Sequence, residues 1–198
     1  MTKTQSETLF ERFCTSRGIT FSRVPEQDTK TPDYELTIDE QRIIVEVKEN
    51  TLNKEEKESE RVMRERGYGN VITTTPGDRI RKKISDSSPQ IKARTQDKYP
   101  SVLVLFDGRP LSDHLSAYNV RVAMYGLEQI HIAVRPFDSP FATGTSYGPK
   151  RKMTEEHNTS ISAIGVLSIT PGADTPALNV YHNKYAAIQL DPKLMGKH

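Results

Sequence analysis

A chain of 198 residues with 34% hydrophobic and 27% charged side chains and no tryptophan is long enough for one globular domain with a substantial core. Its 28 basic and 26 acidic residues leave a net charge of +2, so overall charge does not announce a nucleic-acid binder, and only local clustering can. No apolar run approaches the ~20 residues that span a bilayer, and MTKTQSETLFERF has no apolar segment behind basic residues, so neither a membrane protein nor an exported one is expected, and a cytoplasmic location is.

In chain order, residues 5–17 place Leu9, Phe10, Phe13 and Cys14 on one helical stripe, with Ser6 as the N-cap and Gly18 as the stop. Cys14 is the single cysteine, and its place on that stripe makes it a core residue. ITFSRV (19–24) predicts a short strand, and PEQDTKT delivers the chain to Pro32. DYELTI (33–38) and QRIIVEVK (41–48) read as two strands joined by Asp39 and Glu40, a hairpin. Residues 49–70, dense in both charge signs, predict an exposed helix or mobile insertion within a charged region that runs to residue 78. A helix from about Arg79 puts Ile80, Ile84 and Ile91 on one face, with Pro89 expected to kink or split it. The continuous apolar run SVLVLFD (101–107) predicts a buried central strand. SDHLSAYNVRVAMYG is a helix capped by Ser112 or Asp113, IHIAV (130–134) a strand, and SISAIGVLSI with ALNVYH a closing hairpin. The fold class is therefore α/β: a mixed central sheet flanked by helices, with residues 108–198 extending the core as a helix, a strand and a hairpin.

Strand alternation turns Glu46 and Lys48 to one face and Val45 and Val47 to the other. Asp33, at the start of the preceding strand and placed by the extended backbone around Pro32, comes close to Glu46 in an antiparallel hairpin. Two carboxylates suit a hard cation such as Mg²⁺, which commonly takes one or two carboxylates together with phosphate and water oxygens. A lysine beside them can orient or deprotonate a water and stabilise charge on a phosphate. The other reading is structural: a turn-capping Asp33 and a same-face ion pair of Glu46 with Lys48.

Pro32-Asp33 and Glu46-Val47-Lys48 resemble the PD and ExK elements of the PD-(D/E)xK nuclease superfamily, the restriction-endonuclease-like fold. That family carries the motif on the second and third strands of an αβββαβ core, the order read here from residue 5 to residue 107. The resemblance implies a single nuclease domain over residues 1–198, with Mg²⁺, for which Mn²⁺ substitutes, on Asp33, Glu46 and the Val47 carbonyl, and Lys48 acting on the water. It implies a glutamate from the first helix as well, for which Glu7 and Glu11 are the candidates; at ~100° per residue Glu7 falls nearer the apolar stripe and is favoured. It also implies phosphate contacts from the helix after the motif, where Lys83, Ser87, Gln90 and Arg94 flank the isoleucines. The Q-x-x-x-Y signature of the exonuclease branch is absent, because Arg94 stands four positions after Gln90. The expected partner is duplex DNA, with a homodimer suited to cutting both strands; an RNA substrate or a non-catalytic binding module on the same fold are the alternatives.

GPKRKM (148–153) concentrates Lys150, Arg151 and Lys152 beside a Gly-Pro turn and is a second candidate for phosphate contacts. The five histidines lack zinc-site spacing, Tyr181 and Tyr185 are expected to pack, and no phosphate-binding glycine loop or nucleophile elbow occurs.

Overall fold

The computed structural model describes residues 3–25, 31–68, 75–109, 114–135, 139–170 and 172–196. The elements are α1 (Gln5–Ser16), β1 (Thr20–Arg23), β2 (Tyr34–Ile38), β3 (Gln41–Glu49), α2 (Lys54–Arg66), α3 (Asp78–Thr95), β4 (Ser101–Phe106), α4 (Ala117–Tyr125), β5 (Glu128–Ala133), β6 (Phe141–Tyr147), β7 (Ala163–Ser168), β8 (Ala177–His182) and α5 (Pro192–Gly196). A six-stranded mixed sheet runs β1-β2-β3-β4-β7-β8, parallel across β3/β4 and β4/β7 and antiparallel elsewhere. No described helix is long and apolar enough to cross a membrane.

The SVLVLF run explains the centre of the sheet. All six residues of β4 are buried, as a strand covered on both faces by helices must be. Its alternation feeds two cores. Val102, Val104 and Phe106 join Val45 and Val47 under α1, packed by Leu9, Phe10, Phe13 and Cys14. Leu103 and Leu105 meet Ile80, Ile84 and Ile91 of α3 and Val120 and Met124 of α4 on the other face. The fold is thus an α/β sandwich in which β3 and β4 separate a helix α1 layer from an α3 and α4 layer.

The β2–β3 hairpin forms as expected, with Ile38 paired to Gln41 and a two-residue turn in which Asp39 (φ 47°) and Glu40 (φ 66°) are both left-handed. That is the backbone a tight hairpin with right-twisted strands demands. The expected exposed helix is α2, over 54–66 of the charged region; residues 69–74 lie outside the described residues.

Three local expectations are corrected, and one expected strand lies outside the main sheet. The cap of α1 is Thr4, not Ser6: Thr4 Oγ1 accepts the Glu7 N–H at 3.2 Å while Glu7 reaches back to the Thr4 N–H at 2.7 Å, a capping box. Pro89 does not break α3, which runs through it from Asp78 to Thr95; the backbone bond it cannot give belongs to Ser85, an exposed residue. The cap of α4 is Ser116, and the expected caps Ser112 and Asp113 lie outside the described residues. Most consequentially, β5 does not enter the main sheet. It pairs with β6, a strand not expected from FATGTSY, as a separate exposed ribbon. Gly126 sets the ribbon's base: at φ +88° its α-carbon lies so close to Gly148 that a β-carbon would stand 2.5 Å from the Gly148 carbonyl.

Candidate active site

Tyr34 pairs with Val45, so Asp33, one residue earlier, comes opposite Glu46. Pro32 is buried behind it, and Val24 N–H bonds the Asp33 carbonyl at 3.0 Å, so the backbone that carries the first carboxylate is held on both sides. Asp33 Oδ2 accepts the Val47 N–H at 2.8 Å, across the end of the ladder. This is the contact the structure gives Val47 in the site.

Glu46 is fully buried, and neither of its carboxylate oxygens has a well-directed hydrogen bond. Its close partner is the Lys48 ammonium, in an ion pair on the same face of β3. Burial pushes the Glu46 carboxyl well above the usual range, and the Asp33 charge pushes it further, while Lys48 and the buried Gln90 amide of α3 act against them. Burial also raises Asp33, with Glu7 adding to the rise; the Val47 N–H, Lys48 and a hydrogen bond with the Glu46 carboxyl pull it back. Two carboxyls that face each other and both resist ionisation make a site that is electrostatically short of a cation. Among the described residues no group of three or more His, Cys, Asp or Glu side chains converges to hold a metal. The pair Asp33 and Glu46 nonetheless fits Mg²⁺, which needs only one or two carboxylates from a protein, and the mutual repulsion of the two buried carboxyls is what such an ion would relieve.

The α3 helix closes the face. Lys83 is half-buried and lines a small cleft with Lys48, Asn50, Arg79, Leu105 and Leu115. Burial lowers the Lys83 ammonium's pKa and the neighbouring Lys48 charge lowers it more. Ser87 is wholly buried with its hydroxyl unbonded. Arg94 is engaged elsewhere: its Nε donates to Glu35 Oε1 at 2.8 Å, and Arg42 binds the same oxygen at 2.5 Å, so it fastens α3 to the β2–β3 hairpin.

Glu7 is not on the Glu46 face. It belongs to α1, which packs on the Val45 and Val47 side of the sheet. Its carboxylate is occupied by the Thr4 cap and by an ion pair with Arg23, and its influence on Asp33 is through charge. Glu11 accepts the Tyr34 hydroxyl at 2.9 Å and pairs with Lys3 at 2.5 Å. Lys150, Arg151 and Lys152 are also apart from the site. They border α3 beside Lys82 and Ser85. At ~100° per residue Lys92, which lines the same flank, lies half a turn round the helix from Lys83.

Asn50 and Arg79 were not expected here. Asn50 was legible as the next same-face residue after Glu46 and Lys48, and Arg79 as the residue one helical turn before Lys83. Arg79 bonds the Thr51 carbonyl at 3.0 Å and pairs with Glu56, which also draws Arg109 at 3.3 Å, so this network carries α2 at the rim of the cleft. Comparison with family models, with curated proteins and with solved structures gave no match.

Proposed function

We propose that this chain is a Mg²⁺-dependent nuclease of the PD-(D/E)xK type that hydrolyses phosphodiester bonds in DNA, built on a restriction-endonuclease-like core. The observation that carries the reading is the facing pair Asp33 and Glu46, both raised in pKa, with Glu46 fully buried and ion-paired to Lys48. The order α1, β1, β2, β3, α3, β4 supports the core, with α2 as an insertion after the motif strand.

Asp33 and Glu46 would hold Mg²⁺, or Mn²⁺ in its place, with the Val47 carbonyl as a third oxygen. Once bound, the ion supplies neutralisation of phosphate charge and a more acidic water. Lys48, released from Glu46, orients the attacking water and faces the charge that develops on the phosphate. Lys83, near enough to Lys48 for that charge to lower its pKa, suits a flanking phosphate. The Val47 N–H fixes the direction of Asp33, and Gln90 steadies Glu46 from α3. Glu7 acts as a positioning residue, through the cap and Arg23.

The test is cleavage of supercoiled plasmid with Mg²⁺ or Mn²⁺ against EDTA, with Lys48→Ala alongside. Metal-dependent nicking or linearisation that disappears in the variant supports the assignment; cleavage equal in both proteins, or indifferent to EDTA, overturns it.

A further inference from the structure

We propose that the far flank of α3, turned away from Glu46 and Lys48, carries a second site: a trough for the phosphate backbone of a nucleic-acid strand, lined by Lys82, Lys92, Lys150, Arg151 and Lys152. Two adjoining hollows of 420 and 540 Å³ share Ser85, Arg151 and Lys152 in their walls and so form one continuous trough. Five cations meet there. The neighbouring carboxylate Asp78 is taken up by Arg81, whose Nη2 lies 2.6 Å from it and whose side chain is almost wholly buried. That pair draws the Asp78 carboxyl below its usual range, with Lys150 adding to the pull. Glu156 is the other acidic residue in the walls.

The trough has fixed walls. The 150–153 segment is bolted to α4 by backbone bonds from Lys152 N–H to the Ala123 carbonyl at 3.0 Å and from Met153 N–H to the Met124 carbonyl at 2.8 Å. Asn158 then donates to the Lys152 carbonyl at 2.6 Å, closing the loop on itself. Ser160, only 6% exposed, stands in the wall with its hydroxyl buried, so the wall behind the cations is closely packed.

The length of the row selects the ligand class. Lys82 and Lys92 are ten residues apart on one helix, ~15 Å at 1.5 Å per residue. A nucleic-acid strand passes roughly four phosphates over that distance, whereas a single phosphate or a carboxylate engages one end of it. A concave, hydroxyl-lined trough also fits a strand better than a bilayer surface. Binding here needs no divalent ion, so it does not rest on the cleavage reading, and the two can fail separately.

The experiment uses the full chain and a short fluorescent DNA strand, with anisotropy read in EDTA over a range of salt. Lys82→Glu/Arg151→Glu is expected to weaken binding roughly ten- to hundredfold and to flatten the dependence of log affinity on log salt by about 1.4, near 0.7 for each cation lost on a single strand. Lys82→Gln/Arg151→Gln, milder for folding, is expected to give the same flattening with a smaller loss. Unchanged affinity and slope in both variants overturn the proposal. So does undiminished DNA binding together with lost binding to vesicles of anionic lipid, which reassigns the trough to a membrane surface.

Discussion

Replacing Glu46 with glutamine removes a buried charge while keeping the side chain's size, and the sign of its effect on stability separates a binding site from a structural ion pair. Directly opposed residues on antiparallel strands hold their β-carbons ~5 Å apart. Two like charges at that distance repel by about 3 kcal/mol at an effective dielectric constant near 20. Lys48 offsets part of this, but a third of its side chain faces water and its pull is screened accordingly. The net expectation is that Glu46→Gln is about 1 to 2 kcal/mol more stable than the wild type at alkaline pH in EDTA, a gain of about 2 to 8 °C in Tm for a chain of this size. The pH dependence follows from the direction of the shift. A carboxyl whose folded pKa is raised destabilises the fold above that pKa, and the penalty disappears as pH falls through it toward the ordinary value of 4.5. The gap between variant and wild type should therefore close on acidification. Adding Mg²⁺ should stabilise the wild type alone. Differential scanning calorimetry across pH reads all three effects. A variant that melts below the wild type at every pH would refute the reasoning, because breaking a structural buried pair costs about 3 to 5 kcal/mol.

Because Asp33 and Glu46 must both lose protons to take a cation, Mg²⁺ affinity should fall as pH drops through their raised pKa values, with protons released on binding; calorimetric titration in two buffers of different ionisation heat checks this, and pH-independent binding contradicts it. Phe106→Ala should cost about 3 to 5 kcal/mol in urea unfolding, since the ring is 2% exposed at the end of the central strand. Gly126→Ala should cost about 1 to 3 kcal/mol through its left-handed φ, with more from the collision with Gly148, and should first loosen the β5–β6 ribbon. Amide exchange that stays uniform between ribbon and main sheet would contradict that order. Lys184 packs its ammonium within 5.3, 5.4 and 4.8 Å of the Tyr125, Tyr147 and Tyr185 ring centres, so Lys184→Ala should speed exchange in β6 and leave β4 unchanged.

Much of the site was legible because a strand's period of two is unforgiving: once 41–48 is a strand, Glu46 and Lys48 share a face, and a two-residue turn at Asp39 and Glu40 brings Asp33 opposite Glu46. The continuous apolar run 101–106 and the helical spacing of the α3 isoleucines marked the core as plainly. What failed was what periodicity does not carry. IHIA alternates like a sheet strand, but which sheet a strand joins depends on its partner, and FATGTSY, with few β-branched apolar residues, gave β6 no signal. Ser6 is the better cap by type, and the Thr4-x-x-Glu7 box decided against it. That box also engaged the carboxylate expected to assist Asp33. The separation of Lys150, Arg151 and Lys152 from Lys83 is a matter of which helix flank a distant loop packs on, and no local pattern records it.

The most direct measurement is a Mn²⁺ titration followed by electron paramagnetic resonance on the wild type, Asp33→Asn and Glu46→Gln, each at a pH where the wild-type carboxyls are ionised. The facing-carboxylate site predicts that the wild type takes up Mn²⁺ and that either substitution removes that binding while the fold persists. Equal Mn²⁺ binding by all three proteins, or none by the wild type, would contradict it.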